Sequence, residues 1–188
     1  MFAWWTLRCW RWKTVVAAPV PRKCVIVFYP HTSNWDALVG LFAKWAFAID
    51  VAFAAKDTLF ATPAGPFLRS IGGIPVNRRE HTGFADAMRI AFAQRDDLRL
   101  VIEPEATRSY TPHWKSGFYH IAHGAGVPVA LGFIDYSRRE IGFLGTLMLT
   151  GERDADLARI ARMYEGRVGK YPAQQGPIRL RERVDGQG

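Results

Sequence analysis

The sequence predicts an α/β fold: a single domain with a mixed, mainly parallel sheet flanked by helices, plus an N-terminal amphipathic helix. Short runs of β-branched and aromatic residues alternate with longer stretches of helical spacing, the pattern of strands joined by crossover helices. No repeat, low-complexity run or linker divides the 188 residues, a length that buries a real core. Cys9 and Cys24 are the only cysteines, which argues against a disulfide scaffold or zinc ribbon and suggests a reducing compartment.

In chain order, residues 1–20 read as an amphipathic interfacial segment, 21–172 as the domain, and 173–188, rich in Gln, Gly and Arg, as a poorly ordered tail. Within the domain, 23–29 (Lys-Cys-Val-Ile-Val-Phe-Tyr) is a short buried strand, and 34–49 holds enough apolar residues for a largely buried helix. Residues 51–55 form a second short strand, 58–70 is broken by Pro and Gly, and 72–76 is a tight turn into an extended stretch. A helix over 82–94, a strand over 98–103 and a helix over 114–123 follow. Residues 126–134 and 141–149 are strand-like, and 154–168 is the final helix. Functional residues of such sheets gather beyond the carboxyl ends of strands, so the loops after 23–29 and 98–103 are expected to share a cleft.

The formal charge of +8 and pI near 9.9 require an anionic partner: a nucleic acid, a membrane surface or a phosphorylated substrate. Arg8, Arg11, Lys13, Arg22 and Lys23 all precede the first acidic residue, Asp36, and are interleaved with Trp4, Trp5, Trp10 and Trp12. At about 100° per residue, Phe2, Trp5, Cys9, Trp12 and Val16 share one helical face. Tryptophan and basic residues together favour the headgroup layer, so an anionic membrane surface is the expected partner. Nucleic acid is not, because no reading module accompanies the charge. No stretch of about 18 apolar residues escapes interruption by charge, and no secretory signal is evident. The expected location is peripheral, on the cytoplasmic side of the inner membrane.

His31-Thr32-Ser33-Asn34-Trp35-Asp36 places a histidine in the loop before a helix and a carboxylate in the helix's first turn. A loop residue can fold back over that turn, so Asp36 can hold one imidazole nitrogen while the other faces a substrate hydroxyl. The same residues have the form of a capping box, in which Asp36 only satisfies helix-end amides. A second cluster, Glu103-Pro104-Glu105-Ala106-Thr107-Arg108-Ser109, suits an anionic substrate. Arg108 can grip a phosphate at two points, and Glu105 can orient Arg108 or accept from a hydroxyl. Arg78 and Arg79 offer another anion contact. His120 and His123 share a helix face, but with no third ligand evident no metal is expected.

Together these segments resemble the glycerolipid acyltransferases of the lysophosphatidic acid acyltransferase type. The family's first motif, a histidine, four residues and an aspartate, is matched by His31 to Asp36 with Ser33 in place. Its second is matched by Gly73-Ile74-Pro75-Val76-Asn77-Arg78, and its third, Pro-Glu-Gly-Thr-Arg-Ser, by Pro104-Glu105-Ala106-Thr107-Arg108-Ser109, with Lys115 and Gly117 following. Its fourth is matched by Val127-Pro128-Val129, so the resemblance runs over about 25–135 in order and spacing. It looks closest to short bacterial members.

Three departures stand out: Pro30 where many members have Asn, no second proline in the fourth motif, and Ala106 in place of glycine. If that glycine has positive φ or admits a phosphate to the backbone, a Cβ there costs about 1 kcal/mol or blocks the approach, so an acceptor other than ordinary lysophosphatidic acid is expected.

The resemblance implies an O-acyltransferase that moves an acyl group from acyl-CoA or acyl-carrier protein, its co-substrate, to a lysophospholipid or related lipid acceptor. No cofactor is expected. His31 and Asp36 would be catalytic; Ser33, Arg78, Glu105, Thr107, Arg108 and Lys115 would bind substrate. A thioesterase or esterase using the same pair with water, and a non-catalytic membrane-binding relative, are the alternatives.

Overall fold

The computed structural model describes residues 2–76 and 83–181. Seven strands form one sheet in the order β1-β7-β6-β2-β5-β3-β4: β1 (Lys13–Val16), β2 (Lys23–Tyr29), β3 (Ala52–Lys56), β4 (Gly73–Val76), β5 (Leu98–Ile102), β6 (Val129–Asp135) and β7 (Glu140–Leu147). All neighbouring pairs are parallel except β6 with β7, so the sheet is mixed and mainly parallel as expected.

Both faces of β2 are covered, which is why its sequence is a continuous apolar run rather than an alternating one. Val25, Val27 and Tyr29 face three helices, α5 (Gly83–Gln94), α6 (Gly117–Ala125) and α7 (Arg153–Tyr164), across a core that includes Phe92, Phe118 and Ile160. Cys24 and Ile26 point the other way. On that second face lie α1 (Phe2–Cys9) and α2 (Asn34–Phe47), where Leu7, Val39 and Ala43 meet Ile134 and Ile141. Two helices cover this face less completely than three cover the other.

Two sequence expectations change at the termini. The wheel joining Phe2, Trp5, Cys9, Trp12 and Val16 assumes one continuous helix, but α1 ends at Cys9, and the chain turns through Arg11 at φ 60° into β1. Thr14, Val15 and Val16 are β-branched, and β7 offers them a free edge to pair with. The segment read as interfacial therefore contributes a strand to the sheet. In α1 the inward residues are Ala3 and Leu7, while Trp5 is 71% exposed.

Part of the tail expected to be disordered is built into the fold. Leu180 bridges Trp114, and Arg179 O accepts from Trp114 N at 2.8 Å. A 3₁₀ turn at Pro172–Gln174 leads into contacts described below. Two short helices, α3 (Asp57–Phe60) and α4 (Gly65–Ser70), fill the Pro- and Gly-broken stretch left unassigned. Gly126, expected to start a strand, instead caps α6 with φ 62°, and β6 begins at Val129.

Tyr164 closes the core from the end of α7. Its ring packs on Tyr29 and Trp114, and its hydroxyl donates to Val27 O at 2.7 Å and lies 3.0 Å from Gly132 O, bridging β2 and β6. Burial pushes its pKa well up, so it stays a neutral donor. Tyr164→Phe is expected to lower stability by about 1–2 kcal/mol, because a buried acceptor pair loses its donor without a cavity opening. Urea unfolding of the two proteins measures this.

Candidate active site

β2 and β5 are parallel neighbours, in register from Lys23↔Leu98 to Val27↔Ile102, so the loops that leave their carboxyl ends emerge side by side. One carries His31 to Ser33 after a cis Tyr29–Pro30 peptide; the other carries Glu103 to Ser109. The shared cleft expected from the sequence is formed by this adjacency.

Ser33 caps α2: its Oγ accepts from Trp35 N at 3.2 Å, while Asp36 Oδ2 accepts from Ser33 N at 2.8 Å and Thr32 N at 2.9 Å. The other oxygen, Oδ1, accepts from the Tyr136 hydroxyl at 2.7 Å. His31 folds back so that Nδ1 stands 3.2 Å from Asp36 Oδ2. The two atoms are within ion-pair distance but make no aligned hydrogen bond, and Oδ2 also accepts from the two amides. Capping and pairing therefore coexist in Asp36.

A second carboxylate, not singled out by the sequence reading, meets the other side of the ring: Glu103 Oε2 lies 3.3 Å from His31 Nε2. Burial lowers the His31 pKa, but Asp36, Glu103 and Glu105 outweigh it, and the net shift is upward from 6.5. The protonated form is stabilised by the fold. This linkage favours folding below the ordinary histidine pKa and fades as pH rises through the elevated one.

Glu105, expected to bind substrate, is held by two backbone amides in this structure. Its carboxylate is buried; Oε2 accepts from His31 N at 2.7 Å and Oε1 from Gly176 N at 3.3 Å. It holds the histidine loop by its backbone, and burial raises its pKa against the lowering effect of those amides. Ser33 Oγ serves the helix cap, and Lys115 is exposed, tied to Pro104 O through its backbone amide. Thr107 and Arg108 do line the cleft, and Arg108 Nη1 donates to Asn34 Oδ1. Arg78 and Arg79 lie outside the described residues.

The cleft continues from His31 as a groove of about 930 Å³ between α2 and the less covered sheet face. Phe28, Val101, Phe47, Ile49, Val51 and Phe53 supply apolar walls. On α2 the groove side carries Ala37, Gly40 and Leu41, and a Cβ at Gly40 would meet nothing within 4 Å. At the mouth Ala106 has φ 53°, a left-handed conformation that disfavours alanine relative to glycine by about 1 kcal/mol.

Residues far along the chain lock the loop. Gln175 Nε2 donates to Tyr29 Oη at 3.0 Å, Tyr29 Oη donates to Gly176 O at 2.9 Å, and Tyr171 N donates to Thr32 Oγ1 at 3.1 Å. The signal that could have exposed Glu103 is strand period: Val101 and Glu103 lie two apart, and both face the groove. Nothing in the tail's Gln- and Gly-rich composition marks its role.

Among known proteins, residues 14–130 match the family model described as Acyltransferase, more than half of the chain. The chain belongs to this acyltransferase family. Its fold is similar to the crystal structure of the 1-acyl-sn-glycerophosphate (LPA) acyltransferase PlsC from Thermotoga maritima, with TM-score 0.60 and 16% identity over 90% of this chain and 79% of that one. No curated protein sequence matches it.

The opposed carboxylates make the His31 titration a direct probe of the geometry. Glu103→Gln removes one of the charges that favour imidazolium, so the His31 pKa is expected to fall. An NMR titration of the imidazole resonances reads the shift; an unchanged or higher value would contradict the Glu103 contact.

Proposed function

We propose that this member of the acyltransferase family transfers a fatty acyl group from acyl-CoA or acyl-carrier protein to a hydroxyl of a lysophospholipid or related glycerolipid. One observation supports this above the others: a buried histidine, backed by a carboxylate on Nδ1, stands at the end of a long apolar groove. Neutral His31 takes the hydroxyl proton on Nε2, and the negative charge of Asp36 beside Nδ1 favours the tautomer protonated there and stabilises the imidazolium that forms. The acceptor oxygen attacks the thioester carbon directly. As the tetrahedral adduct collapses, the C–S bond breaks and the thiol leaves with the proton from His31.

Glu103 occupies the place the hydroxyl must take, so the acceptor displaces its carboxylate from Nε2. Because His31 acts in its neutral form, activity rises with pH through the elevated pKa. Arg108 and Thr107, at the cleft mouth, meet the polar part of the acceptor, with Arg78 proposed as a further anion contact. That the solved relative is an LPA acyltransferase supports a glycerolipid acceptor; Ala106 argues for one that does not press a phosphate against this turn.

Delivery from a membrane surface, peripheral and on the cytoplasmic side of the inner membrane, fits the outer face of the groove. Trp35, Leu38, Phe42 and Trp45 recur along α2 as a single stripe, and all but the half-buried Phe42 are exposed. Trp10 extends it, its ring edge-on to Phe42 at 5.4 Å. Exposed apolar surface of this extent is unusual on a free protein and suits the headgroup boundary. Among the described residues no helix is long and apolar enough to cross a membrane.

Two outcomes test the proposal. His31→Ala is expected to lower transfer of labelled acyl groups to a lysolipid panel by about 10²- to 10⁴-fold with an unchanged circular dichroism spectrum; a folded variant at wild-type rate would remove the pair from the mechanism. Gly40→Leu, which places a side chain in the groove without a backbone clash, should depress kcat/KM for long-chain donors while sparing short ones. Equal effects across chain lengths would place the acyl chain elsewhere.

A further inference from the structure

A second concavity, of about 560 Å³, lies where the end of α1 meets the β6–β7 turn. Its lining includes Arg8, Arg11, Lys13, Arg138 and Arg139, with Trp12 and Ser137, and no carboxylate. Residues more than a hundred positions apart are joined here by the backbone: Lys13 N donates to Arg139 O at 2.8 Å, and Arg139 Nη1 donates to Trp10 O at 3.3 Å.

The acids of the same hairpin are turned away. Asp135 and Glu140 lie 3.6 and 3.1 Å from Arg167, and Asp135 also accepts from Ser137 and the Arg138 amide. Among the described residues, none of the five cations has a carboxylate within ion-pair distance. Two of them, Arg11 and Arg139, have φ of 60° and 52°, a conformation that L-residues other than Asn and Asp avoid. Five like charges around one hollow, two of them on unfavourable backbone, give it a positive potential that an anion seated between them would neutralise.

We propose that this hollow binds the phosphate of an anionic lipid headgroup, at a site separate from the acceptor cleft. Guanidinium groups from two walls can take phosphate oxygens pairwise. A lipid rather than a soluble phosphate is favoured by what adjoins the hollow: Trp10, just after α1 and hydrogen-bonded through its carbonyl to Arg139, is exposed and leads through Phe42 to Trp45 along the aromatic stripe of α2. The inference rests on the reading that the protein works at a lipid surface. It deepens that reading by replacing diffuse attraction with a discrete site half built from the β6–β7 turn.

The test compares two pocket pairs, Arg138→Gln/Arg139→Gln and Arg8→Gln/Lys13→Gln, with a control pair of equal charge loss, Arg95→Gln/Arg162→Gln. Sedimentation with vesicles of phosphatidylcholine alone and with added phosphatidylglycerol reads binding. Transfer to a soluble short-chain acceptor by the wild-type protein reads the catalytic site separately, so its absence would speak against the acyltransfer reading and not against the pocket. Each pocket pair that keeps its circular dichroism spectrum should weaken binding to the anionic vesicles by about tenfold, and the control pair by far less. Equal losses in pocket and control pairs would mean general charge attraction and overturn the site. Unchanged vesicle binding with a raised KM for acyl-CoA would assign the pocket to the donor's phosphates and overturn it too.

Discussion

The Asp36 carboxylate is the point on which the site depends. It is almost fully buried, which is unfavourable for a charge unless its oxygens are satisfied, and here two backbone amides and a tyrosine hydroxyl satisfy them. Each of these donors also fixes a piece of structure: the Thr32 and Ser33 amides start α2, and Tyr136 ties the end of β6 to it. The histidine ring is then brought to a carboxylate that is already immobile. A helix cap and a histidine partner are usually alternative explanations of one carboxylate; the β2–α2 junction makes them one arrangement.

Unequal cover of the sheet follows a similar economy. Three helices close one face into the main core, while α1 and α2 leave the other open along the side of α2 that bears Ala37 and Gly40. Small residues there leave the space between helix and sheet unfilled, and the resulting groove leads to His31. The sides of α2 are thus differentiated: Val39 into the core, Gly40 and Leu41 toward the groove, and Trp35 and Trp45 outward, with Ala43 and Leu38 bordering the groove on either side.

What the sequence revealed and what it hid have physical reasons. β2, α2 and the His31–Asp36 pair were legible because apolar runs and a strand-to-helix junction are local signals. Pairing of the two functional loops followed from parallel topology. By contrast, β1 was misread as helix because its strand character depends on an open edge supplied by β7, distant in sequence. Glu105, expected at the substrate, is buried and held by two backbone amides, while Glu103, two residues earlier, faces the imidazole. Gln175 and Gly176 lie in a stretch whose composition reads as disorder, yet their hydrogen bonds to Tyr29 and Glu105 are long-range and invisible to any local pattern.

Direct transfer, with the acceptor rather than the protein or water taking the acyl group, is the central claim. The most direct measurement is a single-turnover reaction of excess protein with labelled acyl-CoA, with and without lysophospholipid, in which intact-protein mass and lipid products are read together. Acyl-lipid that forms only when acceptor is present, with no mass added to the protein, is the predicted result. Free fatty acid released at the same rate without acceptor, or a covalent acyl-protein that forms and decays on the reaction timescale, would contradict it.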